Sequence, residues 1–348
     1  MTTTANEQAL LAIDLGNGTT SYIAGNGKQG SFPSLVLAYK DTNGLGMGVS
    51  REVFQTKDKT TWLVGEECRE EMGIARSTDS SFYLSNEIRI LLLKVLADAG
   101  IPNPIIVAGL PTEFYNRDHK QFEESIRKWA KGEGYTVQAV KVVPQWAAPW
   151  FDDQLEDEDG NPVPLADLLV GTWGIIDIGQ GTTDIGQFKD GRSSDTKHGE
   201  SKGVSDIHKS IFTTLTNNPS DLNEAKKAPV IPKEFKLHKH ATPHTVDKWL
   251  RDGFILWRGQ KLDMNLISLP ARLDFAKDVL PRSIANVWGN TDFMTGVICA
   301  GGGASVLGME VFKQYITCRL YRAKNPDLSI VRGLFRFAKT QVLRQIAK

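Results

Sequence analysis

The octapeptide Ile13-Asp14-Leu15-Gly16-Asn17-Gly18-Thr19-Thr20 returns later in the chain as Ile176-Asp177-Ile178-Gly179-Gln180-Gly181-Thr182-Thr183. The Asp, both Gly and both Thr recur at one offset, Asp14 to Asp177 spanning the same distance as Thr20 to Thr183. Five matched positions at a fixed spacing mark a duplicated unit. Each copy follows an apolar run, Ala9 to Ile13 and Trp173 to Ile176. Each then alternates up to a second turn, Gly25-Asn26-Gly27 and Lys189-Asp190-Gly191. That pattern predicts a β-hairpin continuing into a meander, and 348 residues suffice for two such domains, each with its own core.

Between the copies, periodicity predicts a helix over Asn86 to Ala99 that stops at Gly100, a strand over Ile105 to Ala108, an amphipathic helix over Arg117 to Gly132 and a strand over Val137 to Val143. Strands alternating with helices give an α/β chain of duplicated domains, each a mixed sheet flanked by helices. The expected division is residues 1–164, with a peripheral subdomain at about 30–85, and residues 165–348, with a peripheral insertion at about 210–265. The acidic stretch Asp152 to Pro164 reads as a solvated loop, and the polar, Pro-rich Asn217 to His244 as part of the insertion. Gly333 to Lys348 reads as an amphipathic helix, with Leu334, Phe337, Val342 and Ile346 on one face, packing back onto the first domain.

Glycines in a strand-to-strand turn let backbone N–H groups approach an anion and form a nest for phosphate oxygens, with Thr hydroxyls as further donors. An Asp at the strand end repels phosphate unless a cation lies between them. Asp14 and Asp177 are therefore expected to hold Mg²⁺, through water because Mg²⁺ keeps most of its shell. Thr295 to Ala300, then Gly301-Gly302-Gly303-Ala304 and an amphipathic helix through Ile316, reads as strand, glycine turn and helix, suited to a nucleotide. No Walker-type G-x-x-x-x-G-K-S/T sequence occurs.

Two D-x-G-x-G-T hairpins, an intervening segment and a late triple glycine, in this order over nearly the whole chain, resemble the actin, Hsp70 and sugar-kinase superfamily. The resemblance implies an actin-like, ribonuclease H-like fold with a nucleotide cleft between the domains. Ala108 to Asp118, Val140 to Ala148 and Asn325 to Gly333 are more narrowly similar to the ParM/StbA plasmid-segregation actins. This implies that Asp14, Gly16, Asn17, Gly18 and Thr19, with Asp177, Gly179, Gly181, Thr182 and Thr183, hold the β- and γ-phosphates. Gly203 falls in the ribose-side segment and Gly301, Gly302 and Gly303 in the adenosine motif. Gln145 stands where ParM proteins usually carry Glu. A neutral amide orients an attacking water but cannot accept its proton, so the catalytic set implied is Gln145, Asp177 and Asp14. The resemblance further implies ATP (or GTP) and Mg²⁺ as ligands, self-association into filaments, hydrolysis coupled to polymerisation, and plasmid or DNA segregation through a DNA-binding adaptor.

Other classes fit less well. Lys plus Arg equals Asp plus Glu at 41 each, so bulk charge draws the chain to neither nucleic acid nor membrane. Arg332, Arg336, Lys339, Arg344 and Lys348, and Lys233, Lys236 and Lys239, read as solvated faces. Cys68, Cys299 and Cys318 are scattered, suiting a reducing cytoplasm. Met1-Thr2-Thr3-Thr4 lacks the basic and apolar regions of a signal peptide, and no run is long enough to cross a membrane. His238, His240 and His244 lack accompanying ligands for a metal, and Trp146 and Trp150 read as core. A small-molecule, sugar-type kinase on the same fold is the alternative; it needs a carboxylate base, for which Asp118 or Glu113 are the candidates. An Hsp70-like chaperone ranks last, because few residues follow Gly303.

Overall fold

In a computed structural model, residues 6–39, 52–68, 82–223 and 230–346 are described. The expected subdomain at about 30–85 and the insertion at about 210–265 fall partly outside them, as do Met1 to Thr4.

The first sheet is built from β1 (Leu10–Leu15), β2 (Thr19–Ala24) and β3 (Gln29–Pro33), an antiparallel meander, and continues on the other side of β1. A small three-stranded sheet of β4 (Val36–Ala38), β5 (Phe54–Gln55) and β6 (Thr61–Val64) follows. Helix α1 (Asn86–Ala99) begins where the Ser85 hydroxyl accepts the Ile88 N–H and ends at Gly100, whose φ of 65° few other residues adopt. Strand β7 (Ile105–Leu110), helix α2 (Thr112–Glu133) and strand β8 (Ala139–Pro144) complete the order β3-β2-β1-β7-β8, with β1, β7 and β8 parallel.

The second sheet repeats this plan. Strands β10 (Thr172–Ile178), β11 (Thr183–Lys189) and β12 (Arg192–Glu200) form the meander, and β15 (Gly296–Ala300) and β16 (Leu320–Ala323) run parallel to β10. One strand is added: β9 (Leu155–Glu156) pairs antiparallel with β16. Between the meander and β15 lie helices α3 (Val204–Asn217) and α4 (Pro243–Asp252), the hairpin β13 (Phe254–Trp257) and β14 (Gln260–Asp263), and helix α5 (Met264–Val287). Helices α6 (Gly302–Leu307) and α7 (Ser329–Phe337) follow β15 and β16. Among the described residues, no helix is long and apolar enough to cross a membrane.

Alternation along the central strands decides what packs where. Leu11, Ile13 and Leu15 of β1 join Leu91, Leu96, Phe122 and Ile126 of α1 and α2. Leu10 and Ala12 face the opposite way, onto Ile330, Val331 and Leu334 of α7. In β10, Ile176 and Ile178 meet Ile207 and Ile211 of α3 and Phe275 and Leu280 of α5. Trp173 and Ile175 meet Trp146 and Trp150 from a 3-10 helix over Gln145–Phe151. The C-terminal helix and this 3-10 helix therefore form the joint between the sheets, closed by the buried Arg332–Asp152 pair, bidentate at 2.8 and 2.7 Å.

Several local expectations change. Asp152 to Pro164 is not simply a solvated loop, because Asp152 is buried by Arg332 and Leu155 joins the sheet. Within Asn217 to His244, Val230, Ile231 and Phe235 are buried in the second core, and residues 224–229 lie outside the described residues. The helix expected through Ile316 ends at Leu307 and a short one resumes at Met309–Phe312, because Gly308 at φ 76° and ψ 152° breaks it. The last helix starts four residues earlier than Gly333 and widens into a π turn over Ala338–Val342.

Candidate functional site

Parallel pairing of β1 with β7 and of β10 with β15 aligns the strand ends, so the turn after β1 and the turn after β10 open on the same cleft. They meet there: a Cβ on Gly18 would stand 2.9 Å from the Gln180 Cβ. Gly16 is required within its own turn, where a Cβ would come 2.9 Å from the Thr19 carbonyl oxygen. The cleft encloses about 340 Å³ and is lined by Asp14, Gly16, Asn17, Gly18 and Thr19 from one turn and by Asp177, Gly179, Gly181 and Thr182 from the other. Gln145, Gly301 and Gly302 also line it.

Three expected residues do not reach the cleft surface. Thr183 is fully buried and donates its hydroxyl to the Lys202 carbonyl at 2.8 Å. Gly203 caps α3, its N–H donated to the Asp206 carboxylate at 3.0 Å. Gly303 packs on Ile178, against which a Cβ would collide. All three support the turn from behind. Gly301, at φ 74°, passes so close beneath the Asp177 carboxylate and the Ile178 carbonyl that no side chain fits.

The charges at the cleft floor are unbalanced. Burial pushes the Asp14 carboxyl up to about 7. Asp177 is raised well above the carboxylate range by burial first and then by the Asp184 and Asp14 charges. Asp184 is raised by burial, partly offset by the hydrogen bond it accepts from the Thr112 N–H. Tyr83, beside them, is raised by burial and by the same three carboxylates. The Oδ1 of Asp177 and the Oδ1 of Asn17 are buried with no hydrogen-bond partner. Orphaned acceptors beside desolvated carboxylates fit a cation. Among the described residues no group of three or more His, Cys, Asp or Glu forms a metal cage, so a cation here would take its remaining ligands from water and from a bound anion. Gln145 reaches Asp14 at 3.4 Å, from Nε2 to Oδ1. It is held in the cleft lining because Trp150 stacks on Phe188 with ring centroids 4.2 Å apart and Gly186 leaves the slot that the Trp146 ring fills.

Beyond the two turns, the cleft continues between α4, α5 and α6, where Arg251, Asn265, Ser268, Arg272, Ser305 and Asp327 line it. Sequence reasoning missed these residues, and Tyr83 and His208 with them. None sits in a repeated motif. The histidine loop is elsewhere: the His238 and His240 rings lie 5.2 Å apart, tilted by 48°, and the side chain of His244 lies outside the described residues.

A family model described as actin-like proteins, N-terminal domain, matches residues 12–146. A second, described as archaeal actin homologue MreB-like, C-terminal, matches residues 175–313. Among solved structures, a non-polymerisable quadruple mutant of pCBH ParM aligns at TM-score 0.68 and 20% identity, covering 95% of this chain and 98% of that one. A 15-stranded ParM filament from Clostridium botulinum aligns at TM-score 0.67 and 21% identity with the same coverage. An archaeal actin homologue in complex with ADP aligns at TM-score 0.64 and 17% identity, again over 95% and 98%. The comparison with curated proteins gives no match. With an actin-like N-terminal domain, an MreB-like C-terminal domain and the actin-like fold over nearly its whole length, the chain belongs to the actin-like superfamily.

Proposed function

We propose that this chain is a nucleotide-dependent, filament-forming protein of the ParM kind, which binds ATP or GTP with Mg²⁺ between its domains and hydrolyses it in the cytoplasm. The observation that carries this reading is the meeting of the two glycine turns over Asp14 and Asp177, buried acceptors with too little positive charge around them. Backbone N–H groups at Gly16 to Thr19 and at Gln180 to Thr182 would take the phosphates. Asp14 and Asp177 would hold Mg²⁺ through its waters, and that ion neutralises charge developing on the phosphate oxygens. Gln145 would orient the attacking water by its amide, without accepting the proton. Contacts from both domains to one triphosphate fix the angle between them, and loss of the γ-phosphate frees it.

The filament reading draws on the ParM structures named above, one a filament and one a mutant made unable to polymerise. Head-to-tail contacts that do not close generate such a polymer. Segregation of plasmid DNA through a DNA-binding adaptor completes the proposal. Direct DNA binding is disfavoured, since Arg332, Arg336 and Lys339 of the C-terminal stripe pair with Asp152, Asp153 and Glu7. The kinase alternative loses its candidate bases: Asp118 is tied to Arg117 and Glu113 to Ser201, and neither lines the cleft.

Negative-stain microscopy with Mg²⁺ and a non-hydrolysable triphosphate tests this. Filaments are expected with triphosphate and absent with EDTA. With hydrolysable nucleotide, Gln145→Ala should lengthen filament lifetime, its turnover falling about 10²-fold while affinity holds. Sugar-stimulated turnover without filaments would overturn the reading.

A further inference from the structure

Helix α2 is long, belongs to the first domain and has no cap of its own: its N-cap residue is Pro111, which makes no side-chain cap hydrogen bond. Its first N–H, that of Thr112, is instead donated to Asp184 Oδ1 of the second domain at 2.9 Å, in a buried contact. A carboxylate at that position also meets the positive end of the helix. The seat is shaped for it. Gly199 of β12 lies alongside, where a Cβ would come 2.8 Å from Asp184 Oδ1 and 3.2 Å from the Thr112 Cβ. One residue further along α2, Glu113 accepts the Ser201 hydroxyl at 2.9 Å. Asp184 stands at the start of β11, two residues beyond Thr182, a residue that lines the cleft.

We infer that Asp184 is a positioning residue that latches the domains together, joining the phosphate-facing turn at Thr182 to the N-terminus of α2 across the cleft. This rests on the proposed nucleotide site. A ligand that reaches Thr182 orders the turn on which Asp184 sits, and the latch carries that order to the opposite domain. A ligand that lacks the γ-phosphate makes fewer contacts with that turn and biases the latch less. Asp184 thereby makes affinity for a triphosphate depend on domain closure, with no contact of its own to the ligand.

The test compares affinities of the full-length protein for non-hydrolysable triphosphate and for diphosphate, both with Mg²⁺, in four forms: wild type, Asp184→Ala, Asp184→Asn and Thr112→Pro. Thr112→Pro removes the N–H donor together with a hydroxyl that has no hydrogen-bond partner, at the first position of a helix, where proline is accommodated and where Pro111 at φ −55° and ψ 153° already has the backbone that precedes a proline. Asp184→Ala and Thr112→Pro are expected to lower the triphosphate-to-diphosphate affinity ratio about tenfold, a usual size for coupling between sites. Diphosphate affinity should stay within about twofold of wild type. Asp184→Asn, which keeps the acceptor oxygen, should recover most of the ratio. Equal loss for both nucleotides, or an unchanged ratio in Thr112→Pro, would overturn the latch while leaving the nucleotide site standing. Failure of the wild type to bind either nucleotide would instead remove the site itself. If Asp184→Ala fails to melt cooperatively, Thr112→Pro decides the matter.

Discussion

Asp14 and Asp177 occupy equivalent ends of equivalent strands, and each costs the ligand-free fold something. A carboxyl whose ordinary value of 3.8 rises to about 7 on folding, as at Asp14, keeps in the folded state a proton that the unfolded chain has lost. Between those values the folded state binds more protons than the unfolded one, so stability falls as pH rises from about 4 to 7. Asp177 and Asp184 shift in the same direction. Urea denaturation of the ligand-free protein should therefore give a lower midpoint at pH 8 than at pH 5, and Mg²⁺ with triphosphate should flatten the difference. A midpoint that rises over this range without ligand would contradict the assignment of these carboxyls to an unneutralised site. The two Asp residues were legible in the sequence because duplication printed them twice. Arg272 was not legible: it comes from a segment without a motif, and only the packing of α5 brings it to the cleft. Asp327 lay within the quoted Asn325 to Gly333 stretch, but nothing local marked it as a cleft residue.

Among elements, those whose ends are written locally were read well. Helix α1 has both its Ser85 cap and its Gly100 stop in the sequence, and its observed span matches the expected one. Helix α2 begins at Thr112, five residues before the expected start at Arg117, because the acceptor for its first N–H lies in another domain and leaves no local trace. The C-terminal helix shows the same limit: its apolar face was visible, but the π turn that lets Val342 and Leu343 stay on the first sheet was not. Because α7 covers the face of β1 and β7 left bare by α1 and α2, Leu334, fully buried there, should matter to the whole first domain. Leu334→Ala is expected to cost about 2–5 kcal/mol, from lost burial and the cavity left behind. Chemical denaturation measures it, and a loss below about 1 kcal/mol would show that the helix is not part of that core.

For the whole molecule, the duplication explains why two sheets share one plan and why their equivalent turns converge on one cleft. The joint is made of segments that cross between halves: the 3-10 helix at Gln145–Phe151 enters the second core, and α7 returns to the first. On the proposed function, the two halves would change their relative angle about this joint. Titration calorimetry with ATP and with GTP, in the presence and absence of Mg²⁺, tests the clamp most directly, with Asp177→Ala alongside the wild type. One triphosphate should bind per chain, in a Mg²⁺-dependent manner, and Asp177→Ala should weaken it at least about tenfold. No uptake of either nucleotide, or uptake indifferent to both Mg²⁺ and Asp177, would contradict a shared grip on one chelated anion.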